Sequence, residues 1–527
     1  MKKVEVLDTT LRDGAQSEGI SFSVRDKLAI VETLDSLGIP LVEAGNPGSN
    51  PKDLEFFREA RNLRLQHARL AAFGATRRPG VAAADDPQVC SLVAAGTPVL
   101  VIFGKSWDLH VTEVLKTTLD ENRRMVHDTL AYARKHAARV VYDAEHFYDG
   151  FRANPGYALA TLEAAVEAGA DVLCLCDTNG GRFPEELAEA TQAVLKRFGS
   201  RVAVGVHTHN DSGLAVANTL AAVRAGATHV QGTLVGFGER CGNANLSAII
   251  ANLQLKAGCA CIPAARLTGL TAAARRVAEI ANVVLPDDLP YVGAKAFTHK
   301  AGMHMDGVRK CSESFEHVPP ESVGNARRFL ISEIAGRSAV LARIQRVAPA
   351  VKKTDQVVDD VVARLKALEQ QGYQFEGADA SFEILVLKAL GTYQPRFTLE
   401  HYKIVSERPA KNEQEGAFAT IKVRVGDTTA DTAAAGDGPV NALDRSLRKA
   451  LEHFYPELAE VRLTDFKVRV LDGNHATEAR VRVLIESTDG RSVWTTVGVS
   501  TDIIEASWIA LVDSIDYRLS REAGKKG

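Results

Sequence analysis

Eight short apolar, β-branched runs recur along the first half of the chain, and the stretches between them carry apolar residues at helical spacing. This alternation narrows the fold more than any other feature. The runs lie at residues 4–7, 41–44, 70–73, 99–103, 140–142, 172–175, 202–206 and 230–234. Short runs that are apolar on successive positions suit strands buried on both faces. The stretches 25–37, 121–136, 158–168 and 184–198 have the spacing of amphipathic helices. Eight strand–helix alternations predict an α/β fold, a (β/α)8 TIM barrel. A doubly wound open sheet is the alternative, but no GxGxxG fingerprint follows the first run.

Polar residues fall at one end of these runs. Asp8 and Arg12-Asp13 follow the first, Glu43 ends the second, and Lys105 follows the fourth. Asp143 and Glu145 follow the fifth, Asp177-Thr178-Asn179 the sixth, His207 and His209 the seventh, and Thr233 ends the eighth. Barrel enzymes carry their chemistry at the C-terminal rim of the strands. His207 and His209 alternate on an extended chain, so both imidazoles point to one side. Two such imidazoles suit a divalent metal, and a hydrogen-bonded structural pair is the other reading. The glycine-rich segment 236–243 allows backbone to approach a ligand closely.

Composition removes several classes. A net charge of −3 over 527 residues gives no basic face for nucleic acid or an anionic membrane. No apolar run approaches the ~18 residues of a membrane span. Met1-Lys2-Lys3 runs at once into Glu5 and Asp8, with no apolar leader region. Seven scattered cysteines read as reduced thiols, and a cytoplasmic protein is expected.

Beyond the barrel, assigned to residues 1–270, residues 271–393 read as connector subdomains. Within them, 287–338 is expected to be loop-rich, and 355–368 carries an apolar stripe of Val358, Val361, Val362, Leu365 and Leu368. From 394 to 527 the pattern changes to alternating strands, as at 420–425 and 479–485. A faint internal repeat predicts two βββα units, with glycine-containing turns at 436–439 and 498–502 ahead of the two helices. This is an α+β domain, read as regulatory or dimerising.

Four motifs carry a family resemblance. Leu7-Asp8-Thr9-Thr10-Leu11-Arg12-Asp13-Gly14-Ala15-Gln16, His207-Thr208-His209-Asn210-Asp211, Gly238-Glu239-Arg240-Cys241-Gly242-Asn243 and His299-Lys300-Ala301-Gly302-Met303-His304-Met305-Asp306-Gly307 occur in order along the chain. The sequence resembles the acyl-CoA-condensing barrel enzymes, the 2-isopropylmalate, citramalate and homocitrate synthases. Rim segments 46–53 and 102–108 look most like the branch that uses pyruvate.

The resemblance implies a condensation of acetyl-CoA with pyruvate, followed by thioester hydrolysis, in isoleucine synthesis. It implies Asp13, His207 and His209 as metal ligands with Asn243 as a weaker fourth, the ion being Mn²⁺, Mg²⁺ or Zn²⁺. Arg12 would face the developing alkoxide and Thr178 the 2-oxoacid carboxylate, although threonine also suits a helix N-cap. Gln16 would support the substrate, a local loop role being its other reading, and Glu145 and His304 would share the acid–base work, Glu145 also being readable as a rim ion pair. The family further implies a homodimer in which His304 serves the partner's barrel, and an isoleucine effector on the C-terminal domain, whose contacts are unknown. Phe315 stands where family members often carry a tyrosine, leaving His317 as a candidate replacement. A 2-isopropylmalate synthase using 2-oxoisovalerate is the nearest rival. A hydroxymethylglutaryl-CoA-type lyase would resemble the barrel alone.

Overall fold

The computed structural model describes residues 2–299, 302–329, 337–375, 377–407, 416–471, 479–490 and 492–523. They form two compact units, Met1–Thr298 with Glu316–Arg328, and His299–Phe315 with Phe329–Gly527.

The first unit is a closed barrel of eight parallel strands, as the alternation predicts: β1 (Glu5–Asp8), β2 (Leu41–Glu43), β3 (Arg69–Ala75), β4 (Val99–Lys105), β5 (Arg139–Glu145), β6 (Val172–Asp177), β7 (Ala203–Thr208) and β8 (His229–Gly232). Each pairs with its neighbours in sequence, and β8 closes on β1 with Glu5 opposite His229 and Asp8 opposite Gly232. Several strands run on past their apolar stretch, β5 to Glu145, β6 to Asp177 and β7 to Thr208. The backbone ladder does not depend on side-chain polarity, so polar residues at the rim are held on strand geometry.

Strand parity sorts the side chains. Leu7, Leu41, Ala71, Val99, Val101, Val141, Val172 and Cys174 fill the interior as one cluster. The alternate set, including Val6, Val42, Leu100, Val140, Leu173 and Val204, packs outward beneath the helices. Each such buried side chain contributes about 1.5–3 kcal/mol. The helix Val24–Leu37 shows how the outer layer is specified. Ser23 caps it, accepting from Asp26 N at 3.2 Å while its own N–H donates to the Asp26 carboxylate at 2.9 Å. Ile30, Val31, Leu34 and Leu37 form its buried face, and Gly38, at φ +89°, ends it.

At the opposite end of the barrel from the rim, Glu5 shares the parity of Leu7. Arg139 donates to its two oxygens at 2.7 and 2.6 Å, and His229 Nδ1 lies 3.0 Å away. Burial pushes the Glu5 carboxyl up, but the His229 hydrogen bond and the Arg139 charge outweigh it and hold the group at about 2. A depressed carboxylate stabilises the fold above its ordinary value of 4.5, and that contribution is lost as pH falls through about 2.

The second unit begins with connector helices. The segment expected to be loop-rich contains the helix Gly302–Lys310, with Met305 and Val308 buried. Two apolar anchors in so short a segment are too few for a readable period, and Met305 is held by tertiary packing with Val340 and Ile344. Lys300 and Ala301 of the fourth motif lie outside the described residues. The stripe of helix Gln356–Gln370 is a packing face, with Val358, Val361 and Leu365 buried.

Two βββα units follow, as the repeat predicts. Strands β9 (Thr398–Glu407), β10 (Gly416–Val425) and β11 (Thr428–Gly436) form an antiparallel sheet before helix Pro439–Leu451. Strands β12 (Arg462–Val470), β13 (Val481–Thr488) and β14 (Val493–Ser500) form a second before helix Ile503–Ala523. Leu443, Leu447 and Leu451 from one helix and Leu511 and Ile515 from the other share a core with Ile421, Val423, Val483 and Ile485. The expected turn at 498–502 starts late, because β14 continues to Ser500. Gly498 serves close packing instead: a Cβ there would lie 2.0 Å from Ala506 O on the helix.

Glu5→Gln removes the anionic partner of a half-buried guanidinium, which costs about 2 kcal/mol. Urea melts at neutral pH should show this loss. The difference from wild type should shrink as pH falls from 4.5 toward 2, and equal midpoints at pH 7 would contradict the account.

Candidate active site

The chemistry of the barrel is set where the interior-facing parity runs out of apolar residues. On β7 the interior positions are Ala203, Gly205 and His207, and His209 follows at the same parity just beyond the strand. Asp13 comes from the loop after β1, which is folded tightly by bonds from Arg12 N, Asp13 N and Gly14 N to Thr9 O. These two loops bring Asp13, His207 and His209 together, with one ligand atom of each within 4.8 Å of the others. His207 Nε2 lies 3.3 Å from Asp13 Oδ2 and 3.2 Å from His209 Nε2, and His209 Nε2 lies 3.9 Å from Asp13 Oδ2. All three are buried.

The orientation of His207 is fixed from behind. Its Nδ1 lies 3.0 Å from Gln231 Oε1, and Gln231 Nε2 donates to Asp143 Oδ1 at 2.8 Å. An amide whose nitrogen is committed to a carboxylate presents its oxygen to the imidazole. Nδ1 therefore carries a proton, which leaves Nε2 as the ring nitrogen that faces Asp13 and His209. Gln231 lies in no sequence motif. Its signal is a single amide on an interior-facing position of β8, flanked by Val230 and Gly232.

The charges are uneven. Burial pushes Asp13 up, but the Arg12 charge and the His207 hydrogen bond outweigh it and hold the carboxyl well below its usual range. Burial and then His207 push His209 down to about 3, so it is neutral. For His207 burial acts downward, but Asp13 raises it above the ordinary value. Burial pushes Glu43 up to about 7 despite its bond from Arg12 Nε at 2.6 Å. Arg12 also pairs with Asp13 at 3.2 Å and lies flat on Phe73, 3.8 Å from the ring centre.

This arrangement fits a cation. Among the described residues, Asp13 Oδ1 and Asn243 Oδ1 are buried without a hydrogen-bond partner. Uncompensated acceptors of that kind are costly unless something else binds there. Asn243 is tied to His209 by a backbone bridge. Gly238 makes room for it, since a Cβ at that position would lie 2.2 Å from Asn243 Nδ2.

A cavity of about 230 Å³ opens beside the cluster. Arg12, Asp13, Gln16, Glu145, Thr178, His207 and His209 line it, so seven of the expected site residues meet at one place. Phe73, Phe103, Asp143, Cys176 and Glu239 complete the wall. Glu145 also forms an ion pair with Lys105. Thr178 is not a helix cap, because the following helix begins only at Pro184. Its carbonyl accepts from Arg240 Nη2 at 2.7 Å, and Arg240 Nε also holds Asp211 at 2.7 Å. His304 lies in the second unit, exposed on helix Gly302–Lys310, with its ring 4.4 Å from that of Phe315. Phe315 thus packs on the histidine as an apolar face. His317 packs against Tyr291 and Phe297.

A closed α/β barrel with a buried Asp–His–His cluster at its rim and an α+β C-terminal region defines a metal-binding barrel enzyme. The comparisons agree. Residues 3–277 match the HMGL-like family, 291–373 the homocitrate synthase post-HMGL domain-like family, and 376–519 the LeuA allosteric (dimerisation) domain. The chain is 49% identical to the (R)-citramalate synthase of Aquifex aeolicus over 99% of its own length and 98% of that protein. It is 50% identical to the one from Synechocystis over 97% and 95%, and 47% identical to that of Geobacter sulfurreducens over 100% and 99%. The chain belongs to the (R)-citramalate synthase family.

Asp13→Ala or His207→Ala should abolish turnover and bound divalent metal while leaving the circular dichroism spectrum unchanged, since the three remaining side chains cannot complete the site. Elemental analysis and assay of both variants check this. Wild-type metal content and turnover in both would contradict it.

Proposed function

We propose that this chain condenses acetyl-CoA with pyruvate, hydrolyses the thioester and releases (R)-citramalate and CoA. The observation that carries the reading is the convergence of Asp13, His207, His209, Arg12 and Thr178 on one small cavity, in a chain that matches (R)-citramalate synthases over its full length. A divalent ion held by Asp13, His207, His209 and Asn243 supplies Lewis-acid polarisation of a ketone.

The chain's own groups do the rest. Arg12, half-buried and cationic, faces the oxygen on which charge develops. The Thr178 hydroxyl donates to the acceptor's carboxylate, and Gln16 closes the same wall. Glu145, ion-paired with Lys105, and His304 of the partner subunit share the proton transfers that form the nucleophile and activate water. Residues 1–270 carry this chemistry, 271–393 present His304, and 394–527 regulate and dimerise. The positions of the three matched family segments support that division.

The acceptor pocket favours pyruvate. Phe73 and Phe103 stack at 5.0 Å with their planes 11° apart, and both line the cavity. A rigid aromatic wall in so small a space excludes a branched chain sterically. A role in isoleucine synthesis follows from the product. Isoleucine binding by the C-terminal region, a homodimer and a cytoplasmic site complete the proposal, supported by the match to an allosteric dimerisation domain. Among the described residues no helix is long and apolar enough to cross a membrane. A helix start with free backbone N–H groups can hold an effector carboxylate, and of the two in the C-terminal region the second is already satisfied: Asp502 Oδ1 accepts from Ile504 N at 2.7 Å. The first, at Gly438, has no side-chain cap and is the better candidate.

Thiol release from acetyl-CoA across 2-oxoacids tests the reaction. Pyruvate should give the highest kcat/KM, and Phe103→Ala should shift the ratio toward 2-oxoisovalerate by about tenfold. A wild-type preference for 2-oxoisovalerate would move the chain to the isopropylmalate branch. Titration of the full-length enzyme with isoleucine, leucine and valine should show inhibition by isoleucine at the lowest concentration. Inhibition by leucine alone would contradict the effector assignment.

A further inference from the structure

Among the described residues, His146 is one of five non-glycine residues with positive φ, at φ +54° and ψ +31°, and it is 8% exposed. Residues bearing a β-carbon seldom adopt that conformation, and where they do the surroundings enforce it. Here the surroundings are specific. His146 Nδ1 lies 3.3 Å from Asp149 Oδ2, and Asp149 is held in turn by Arg182 at 3.2 Å and by Asn179 Nδ2 at 2.8 Å. The His146 ring packs 4.2 Å from that of His110, with Trp107 beyond at 6.0 Å.

The turn has one product. It aims the His146 backbone N–H at Thr178 Oγ1, 3.0 Å away. A hydroxyl that accepts on one side has its proton free to point elsewhere. The Thr178 carbonyl is already fixed by Arg240, so the residue cannot swing with its side chain. Glu145, the residue before His146, lines the same cavity as Thr178. The side chain of Asn179, the residue after Thr178, ends on the same Asp149 carboxylate that holds His146.

We infer that His146 is a positioning residue for the acceptor subsite: its left-handed turn joins the loops carrying Glu145 and Thr178 and commits the Thr178 hydroxyl to donate into the cavity. The agent is the backbone conformation, and the ring and Asp149 keep it in place. This rests on the reading of Thr178 as the donor to the substrate carboxylate.

The test is a double-mutant cycle on the full chain, with kcat and KM measured separately for pyruvate and acetyl-CoA. Valine is strongly disfavoured in this conformation and asparagine adopts it readily. His146→Val should raise the pyruvate KM about tenfold, the size of a lost hydrogen bond to a charged group. The acetyl-CoA KM should change less than about twofold, and His146→Asn should restore most of the pyruvate KM. Thr178→Val should raise the pyruvate KM to a similar extent, and adding His146→Val to it should change little further. If His146→Val does not fold, Asp149→Asn, which weakens the anchor of the ring and leaves residue 146 itself unchanged, takes its place in the cycle. A wild-type pyruvate KM in Thr178→Val would overturn the reading of Thr178 and the inference with it. If Thr178→Val behaves as expected but the two effects simply multiply, or if asparagine is as poor as valine, the reading of Thr178 stands and the role of His146 alone is overturned.

Discussion

The buried carboxylate of Asp13 is the contact on which the rim is organised. It is held anionic between Arg12 and His207, and it lies within reach of His209. An anion in that position is stable only if cations or a metal surround it. The other rim groups follow from that need. Arg12 is shared with Glu43 and braced on Phe73, and His207 is turned by Gln231, which is turned by Asp143. The chain of contacts runs from β1 through β7 and β8 to β5, so closure of the barrel is what assembles the site.

The barrel also explains how strain is tolerated. A left-handed His146 and the close approach at Gly238 are local costs of the kind that cluster at working sites. Both sit in loops just beyond strand ends, where the interior packing of Leu7, Val101, Val141 and Cys174 lies below and is not disturbed. Rigidity is supplied by the strands and variation by the loops.

Much of this was legible in the sequence. The eight strands could be placed because short runs rich in apolar residues recur between helical stretches, and the rim residues because polar groups fall at one end of those runs. The metal cluster was legible because His207 and His209 alternate on a strand. Three features were not. Gln231 is one amide among apolar neighbours, and only closure of the barrel shows that it faces His207. The conformation of His146 leaves no mark in the sequence, because histidine is not a residue that signals positive φ. Helix Gly302–Lys310 is too short to show an apolar period, so its burial of Met305 depends on tertiary contacts that no periodicity announces. The βββα repeat was readable from its alternation, yet the glycine at 498 was misplaced as a turn because close packing and turning call for the same residue.

The central claim is that one divalent cation binds between Asp13, His207 and His209, with His207 bonding through Nε2. Anomalous diffraction from crystals grown with Mn²⁺, collected on both sides of the manganese edge, tests it directly. The account predicts a single strong peak per chain within bonding distance of an Asp13 carboxylate oxygen and of Nε2 on both histidines, with Gln231 still on His207 Nδ1. A fully active enzyme whose only manganese peak lies elsewhere, or that has none after exhaustive chelation, would contradict it.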